Sequence, residues 1–454
     1  MVNHKIARFI FVGFIICISS VNSIVAQVKS GFSDVLFYEK KELNNGFHFY
    51  GNGEREDLRT DISKTYEEIT LGSGTFQFKN SYWNFLDYKQ DFLEFNFEIG
   101  PFYGSGNSLD SSFVENIKAD QNQFGVRTNA SAKYSTRFYY NSKNYTIVDV
   151  KGWARYDLFK QNSEGTTIDS SGVASNFDNS SNETKFRYGF EAKAGWGWGR
   201  LNPMNNYMLA QHILEKYYAG RIFSENEIRG IAAEIHNIKG NRDIINGHNN
   251  ELESQIIADF LNEKMLLIAP EDLKTDWELA EFKPRLNGTR IEVGPFFKYF
   301  NREPDFIYGG YILYENEKYF NAKWNRNFGA GLKYSRYKLK GDDPFIDDVQ
   351  TESPLNEQFE GQDWVNAEIN IGWSYFPDLK RQLDFGVKYI PGVELNNFSE
   401  LGEFNHGLVP YVGCFSQINS KSRVNITFAY RISQNEKLML PGPEFSISVY
   451  RSRY

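Results

Sequence analysis

Residues 185–198 alternate without a break. Phe186, Tyr188, Phe190, Ala192, Ala194, Trp196 and Trp198 hold the even positions. Lys185, Arg187, Gly189, Glu191, Lys193, Gly195 and Gly197 hold the odd ones. A period of two sustained over this length belongs to a strand, because a helix returns to the same face every three to four residues. One face is apolar with aromatic ends and the other is charged. That suits a strand with hydrocarbon on one side and water on the other.

The same two-sided pattern recurs along most of the chain. Leu93, Phe95, Phe97 and Ile99 alternate with Glu94, Asn96 and Glu98, and Val365, Ala367, Ile369 and Ile371 with Asn366, Glu368 and Asn370. A soluble β-sandwich also alternates, but its strands are shorter and its inner faces favour medium aliphatics. Here the runs at 123–140 and 144–161 are long, carry Gly and Ala on the apolar face, and place Trp or Tyr near their ends. Aromatic residues make up 17% of the chain, as girdles at two membrane interfaces would require. The pattern predicts an all-β transmembrane antiparallel barrel of about 14 strands, within a range of 12 to 16.

The strands are expected near 43–51, 66–87, 91–104, 122–140, 144–161, 183–199, 287–300, 306–316, 319–340, 361–376, 380–393, 406–417, 421–433 and 443–453. The count is even, as single-chain bacterial barrels require. Short connections at 89–90, 142–143, 377–378 and 419–420 fall on one side, which this architecture assigns to the periplasm. Long polar stretches at 105–121, 162–182, 341–360 and 394–405 fall on the other and read as outer loops.

Residues 1–26 read as a secretion signal. His4, Lys5 and Arg8 are basic, Phe9 to Ile18 is apolar but too short to span a bilayer as a helix, and Ile24-Val25-Ala26 offers a cleavage site. Cys17 offers lipidation as an alternative, against which Ile16 precedes it where a small residue is usual. Behind the signal only Cys414 remains, so no intrachain disulfide staples the fold. The mean hydropathy of −0.53 looks soluble, yet a barrel shows lipid only every second residue. A net charge of −8 argues against nucleic acid as a partner.

Between residues 201 and 285 the period changes from 2 to 3.6, dividing the barrel into halves at 27–200 and 286–454. Asn202 and Pro203 are expected to open a helix with Ala210, Ile213, Leu214 and Tyr217 on one face. Ser224 and Glu227 have capping-box spacing, ahead of a stripe of Ile228, Ile231, Ala232, Ile235 and Ile238. A third helix over 249–265 is expected to turn Leu252, Ile256, Phe260 and Leu261 inward. Such a bundle between strands 6 and 7 falls on the periplasmic side by the strand count, or on the outer side if the count is off by one. It is an elaborate turn, a gate under the lumen, or a docking site for a periplasmic protein.

Chemistry is sparse. Gly195-Trp196-Gly197-Trp198-Gly199-Arg200 lacks the spacing and context of a dinucleotide loop. The glycines are expected to keep the wall slim while Trp196 and Trp198 anchor the interface. The six histidines show no metal-ligand spacing, and no nucleophile stands beside a base, so no catalytic residue, metal or cofactor is assigned. The acidic pairs 342–343 and 347–348 lack the ordered spacing of a calcium loop.

One constellation remains. On the polar faces lie Arg127, Lys133, Arg137, Lys151, Arg155, Lys185, Arg187, Lys193, Arg290, Lys298, Lys323, Lys333, Lys388 and Arg431. The acids there are Glu94, Glu98, Asp149, Asp157, Glu191, Glu292, Glu368 and Asp384. A basic wall along strands four to six would favour anions; cross-strand pairing that fills the lumen is the alternative.

With these features the chain resembles the outer-membrane β-barrel proteins of Gram-negative bacteria. The resemblance rests on the signal, the alternation, the loop asymmetry and the last segment, Phe445 to Tyr454. In that group a final strand ending in an aromatic residue is read by the barrel assembly machinery, and Tyr454 fits. Phe445, Ile447 and Val449 have the opposite parity to Tyr450 and Tyr454, which weakens that signal or implies a bulge. The resemblance implies contact with outer-membrane lipid and a porin-like conduit or an envelope export component. The alternatives are a closed-barrel adhesin or scaffold and, third, a membrane hydrolase.

Overall fold

The computed structural model describes residues 37–59, 63–112, 115–242, 249–264, 266–279, 285–301, 305–338, 363–396, 400–433 and 441–453. The signal, His248, the acidic pairs of 341–360 and Tyr454 lie outside them. The first six strands are β1 (Tyr38–Arg59), β2 (Ser63–Phe85), β3 (Lys89–Ser112), β4 (Glu115–Tyr139), β5 (Asn144–Asp169) and β6 (Ala174–Pro203). After a helical insert come β7 (Leu286–Phe300), β8 (Asp305–Asn321), β9 (Trp324–Lys338), β10 (Asp363–Tyr375) and β11 (Arg381–Asn396). They are followed by β12 (Glu400–Gln417), β13 (Ser422–Ser433) and β14 (Gly442–Arg453). Each strand pairs antiparallel with its sequence neighbours, and β1 pairs with β14, closing a barrel of 14 strands.

Closure needs more than the ladder from Leu43↔Arg453 to Asn52↔Glu444. Arg423 of β13 reaches across β14 to the buried carboxylate of Glu42 on β1. Arg431 of β13 reaches Glu54 at 3.3 Å and also bonds Asn52. Two arginines therefore tie the last hairpin to the first strand. The ladder pairs of β14 carry no register shift, so Tyr450 turns to the side opposite Phe445 and Val449 without a bulge.

Two expected outer loops are strands. The β3–β4 hairpin stays paired from Lys89↔Phe138 to Ser111↔Asn116, and the β5–β6 hairpin from Asn144↔Trp198 to Ile168↔Ala174. Residues 105–112, 115–121 and 162–182 are mostly polar on both faces because both faces there meet water, so no apolar period marks them although the backbone ladder continues. Likewise β11 and β12 run into 394–405. Among the described residues the two halves of the barrel differ in strand length. Strands β1–β6 run 22 to 30 residues and β7–β14 only 12 to 18.

The insert forms four helices, α1 (Asn205–Tyr217), α2 (Glu225–Gly240), α3 (Asn250–Glu263) and α4 (Pro270–Leu279). Its start differs from expectation. Asn202 and Pro203 remain paired with Asn287 and Leu286, so β6 runs through them and α1 begins after Met204, which gives no side-chain cap. The ladder partner stands some eighty residues downstream, where local spacing cannot register it. Ser224 and Glu227 do form a reciprocal capping box at α2. The bundle core gathers Leu209, Ile213, Leu214, Ile231, Ile235, Ile257, Leu261, Leu273 and Trp277.

Helix α3 is rotated from the expected orientation. Its buried row is Glu253, Ser254, Ile257, Ala258 and Leu261, while Leu252 and Ile256 are 58% and 41% exposed. The cause is polar. Arg242 donates to the Glu253 carboxylate at 2.9 and 2.6 Å, and Trp277 Nε1 donates to it at 2.6 Å. A paired buried carboxylate draws its own face inward, and the adjacent apolar row turns out.

Candidate functional site

The outer and inner faces of the wall separate cleanly. Phe47, Leu93, Phe95, Val126, Phe186, Ile312, Phe385, Ile426 and Val449 are all exposed, although large and apolar. The residues between them on each strand turn to the interior, where Arg155, Asp157, Lys185, Arg187 and Glu292 are buried. Trp196 and Trp198 project outward beside the short β4–β5 turn, Trp196 being 66% exposed, with the Lys143 ammonium 5.3 Å from the Trp198 ring. A closed wall that leaves this much apolar and aromatic surface uncovered, with ion pairs inside, is at home in hydrocarbon. The chain is a transmembrane β-barrel protein.

No known family profile matches the sequence, and no curated protein matches it. In structure it is similar to a bacterial polysaccharide outer-membrane secretin at 8% identity, covering 91% of this chain and 98% of that one with a TM-score of 0.32. It is similar to an outer-membrane channel of Pseudomonas putida F1 at 9% identity, with 94% and 99% coverage and a TM-score of 0.33. A third is the translocator domain of an autotransporter from Neisseria meningitidis, at 9%, 96% and 92%, with a TM-score of 0.29.

Inside this transmembrane barrel two ionic clusters cross the wall. Toward the short-turn end, Arg137 of β4 donates to Glu292 of β7 at 2.6 Å, and the Tyr145 hydroxyl donates to the same oxygen at 3.1 Å. Arg290 lies 3.5 Å from Glu292 and also pairs with Glu315. Gly197 and Gly199 make room for this cluster. A Cβ on Gly197 would overlap the Tyr145 ring, and a Cβ on Gly199, whose φ is 101°, would strike the Thr289 carbonyl. The glycine-tryptophan run is therefore a packing device for a buried tyrosine. Toward the other end, Asp157 accepts from Arg127 at 3.1 Å and from Arg155 at 2.7 Å. Lys185 lies 3.6 Å from Glu183 and above the Phe159 ring, while Arg187 is buried in the same wall opposite Arg155.

Between the clusters runs a transverse row read off the register: Ser81, Glu94, Lys133, Lys151, Glu191, Lys298. Glu94 binds Lys79 at 2.8 Å. Glu191 binds Lys193 at 3.1 Å and Lys298 at 3.6 Å. Glu98 accepts from Gln77 at 2.7 Å, and Glu368 lies 3.5 Å from Lys388. Lys323 is not in the wall; it sits in the turn between β8 and β9. Among the described residues no three His, Cys, Asp or Glu gather to hold a metal.

The helical bundle lies across the short-turn mouth. It is rooted between β6 and β7, yet it touches β1 and β12, each five strands away in opposite directions around the barrel. On the β1 side His236 of α2 stacks on Phe37 at 5.7 Å, and Asn206 donates to the Phe37 carbonyl. On the β12 side Gln417 donates to the Glu278 carbonyl of α4 at 3.2 Å. Between them Met204 and Met208 pack with Tyr319 and Leu379, and the Tyr319 hydroxyl donates to Gln211 at 2.7 Å.

Both roots of the insert are clamped by an arginine: Arg200, which the sequence places only at the end of the glycine-tryptophan run, and Arg285, which no motif in the sequence singles out. Arg200 stacks on Tyr139 and donates to the Leu86 and Asp87 carbonyls of the β2–β3 turn. Arg285 lies 3.6 Å from the Phe376 ring centre and donates to the Asn321 and Ala322 carbonyls of the β8–β9 turn. The available signal was positional: one arginine at each entrance to a helical insert.

Within the bundle Asp276 of α4 accepts from Lys216 at 2.7 Å and Tyr217 at 2.9 Å, with His212 at 3.6 Å. Burial raises the Asp276 pKa, but the neighbouring His212 and the bonds from Lys216 and Tyr217 outweigh it and hold the group at about 2, below its ordinary 3.8. Its contribution is therefore complete above pH 3.8 and is lost as pH falls toward 2. The helical melting temperature should drop over that window in the parent, and Asp276→Asn should flatten the difference. Equal pH dependence in both proteins would remove this tie between α1 and α4.

Proposed function

We propose that the protein is a non-enzymatic conduit through the outer membrane, closed at its periplasmic mouth by its own helices. What supports this is the bundle's reach: α1–α4 touch the rim at β1, the end of β8, Leu379 before β11, and β12. An elaborate turn would need contacts only at its roots. The water-exposed Lys133 and Lys151 on the inner wall support a lumen that holds water. The short-turn side is periplasmic in barrels of this kind, so the helices meet the envelope interior.

The test is conductance in planar bilayers. The full chain is expected to conduct little. A variant with 205–284 replaced by a short Gly-Ser turn, checked for folding by heat-modifiable gel mobility, is expected to conduct steadily. Arg200→Ala with Arg285→Ala is expected to raise the frequency of opening. A folded, silent deletion variant would defeat the conduit.

A second reading has its own observation. The exposed row Leu252, Ile256 and half-buried Phe260 on α3 lies beside Glu251, Gln255, Asp259 and Glu263. In that reading the bundle is a docking face for a periplasmic protein and the barrel its anchor. Silence of the deletion variant favours it.

A further inference from the structure

We infer that Lys133 and Lys151 form an oxyanion-binding site on the inner wall, taking a carboxylate or phosphate group. The two residues are direct cross-strand partners of β4 and β5 and both side chains are exposed to the interior. Like charges placed directly opposite destabilise a sheet. Their flanking partners in the row are Glu94 and Glu191, which would relieve the pair if they turned to it. Instead Glu94 is bonded to Lys79, and Glu191 to Lys193 and Lys298. Among the described residues no carboxylate forms an ion pair with Lys133 or Lys151.

The surroundings define the site further. Lys79, Lys193 and Lys298 add positive charge around the pair, against Glu94 and Glu191. Lys133 lies 5.7 Å from the Phe92 ring centre, and Trp153, two residues along β5 from Lys151, lies against Gly189, where any Cβ would meet its indole. Lys133 thus stands beside one aromatic ring, and Trp153 is the next inward-facing residue of β5 from Lys151. Two point charges on neighbouring strands suit an anion with two oxygens to share, and lysine accepts either carboxylate or phosphate. The inference does not need the mouth to open; it needs only that small ions enter the lumen.

Lysine acylation tests it without any conduction. The full chain in detergent is treated briefly with acetic anhydride at matched ionic strength in chloride, in acetate or in inorganic phosphate. Modification at each lysine is then read by peptide mass mapping, with Lys264 on the bundle as reference. Lys133 and Lys151 are expected to react in chloride and to be protected roughly tenfold by an anion at ten times its dissociation constant. Protection by both anions marks a general oxyanion site, and by phosphate alone a site for divalent oxyanions. In Lys133→Gln, Lys151 should stay reactive and lose its protection. Lys151→Glu should lose protection at Lys133 while raising the barrel's melting temperature, because a like-charge pair becomes an ion pair. Rates that do not depend on the anion, equal slowing at Lys264, or no reaction at either lysine in chloride would overturn the assignment. None of these outcomes depends on the deletion variant's conductance, so this site and the conduit can fail separately.

Discussion

Glu253→Ala will melt the helical bundle and leave the barrel standing. The Glu253 carboxylate takes four donated hydrogen bonds, three from Arg242 and one from Trp277, and all three side chains are buried or nearly so. Removing one partner of a buried ion pair strands the other charge, which costs about 3–5 kcal/mol. The orphaned Trp277 N–H adds about 1 kcal/mol. A unit of this size has a stability of roughly 0.05–0.15 kcal/mol per residue, so the loss is comparable with the whole. Far-UV circular dichroism should show the helical signal melting at much lower temperature, while heat-modifiable gel mobility stays that of the parent. Glu253→Gln keeps the shape and one acceptor and should fall between. Parent-like helical melting in Glu253→Ala would mean that Arg242 finds water and that the pair does not orient α3.

The second large effect belongs to the barrel. Glu292 is 2% exposed and accepts from Arg137 and Tyr145 while Arg290 stands 3.5 Å away. Glu292→Ala places two guanidinium groups together without the carboxylate between them. Arg290 keeps Glu315, but Arg137 loses its bonded carboxylate. A loss of about 3–5 kcal/mol is expected, seen as a lower urea midpoint in detergent with the slope unchanged. Gly197→Ala attacks the same cluster sterically through the Tyr145 ring and should cost about 1–3 kcal/mol. A Glu292→Ala barrel with an unchanged midpoint would show that the cluster is wet and tolerant.

What the sequence made legible follows from where selection acts residue by residue. Lipid demands an apolar side chain at each outward position, so Phe186, Tyr188, Trp196 and Trp198 announce their face one by one. The even strand count and the insert between the sixth and seventh strands could be read the same way. The extended hairpins above the lipid could not, since Asn176 or Ser180 suits either face of a strand in water. Nor could the rotation of α3: Leu252-Ile256-Phe260 and Ile257-Leu261 are both plausible inward rows. The choice rests on Glu253 meeting Arg242 and Trp277, which lie 11 and 24 residues away along the chain. Position across the mouth was equally hidden, because it depends on contacts such as His236 with Phe37 that carry no periodic mark.

The unequal strand lengths have a consequence for life in a crowded bilayer. Half of the barrel rises as a polar palisade, and among the described residues β6 from Ala174 to Thr184 has a ladder neighbour on one side only. Such a bare border invites a second molecule to zip onto it. Asn301 seals its lower end, donating to the Tyr188 and Phe186 carbonyls and accepting from the Tyr188 N–H. Above that the border reads Ala-Ser-Asn-Phe-Asp-Asn-Ser-Ser-Asn-Glu, short and hydrophilic, so adjacent copies gain little by merging and the palisades stay separate.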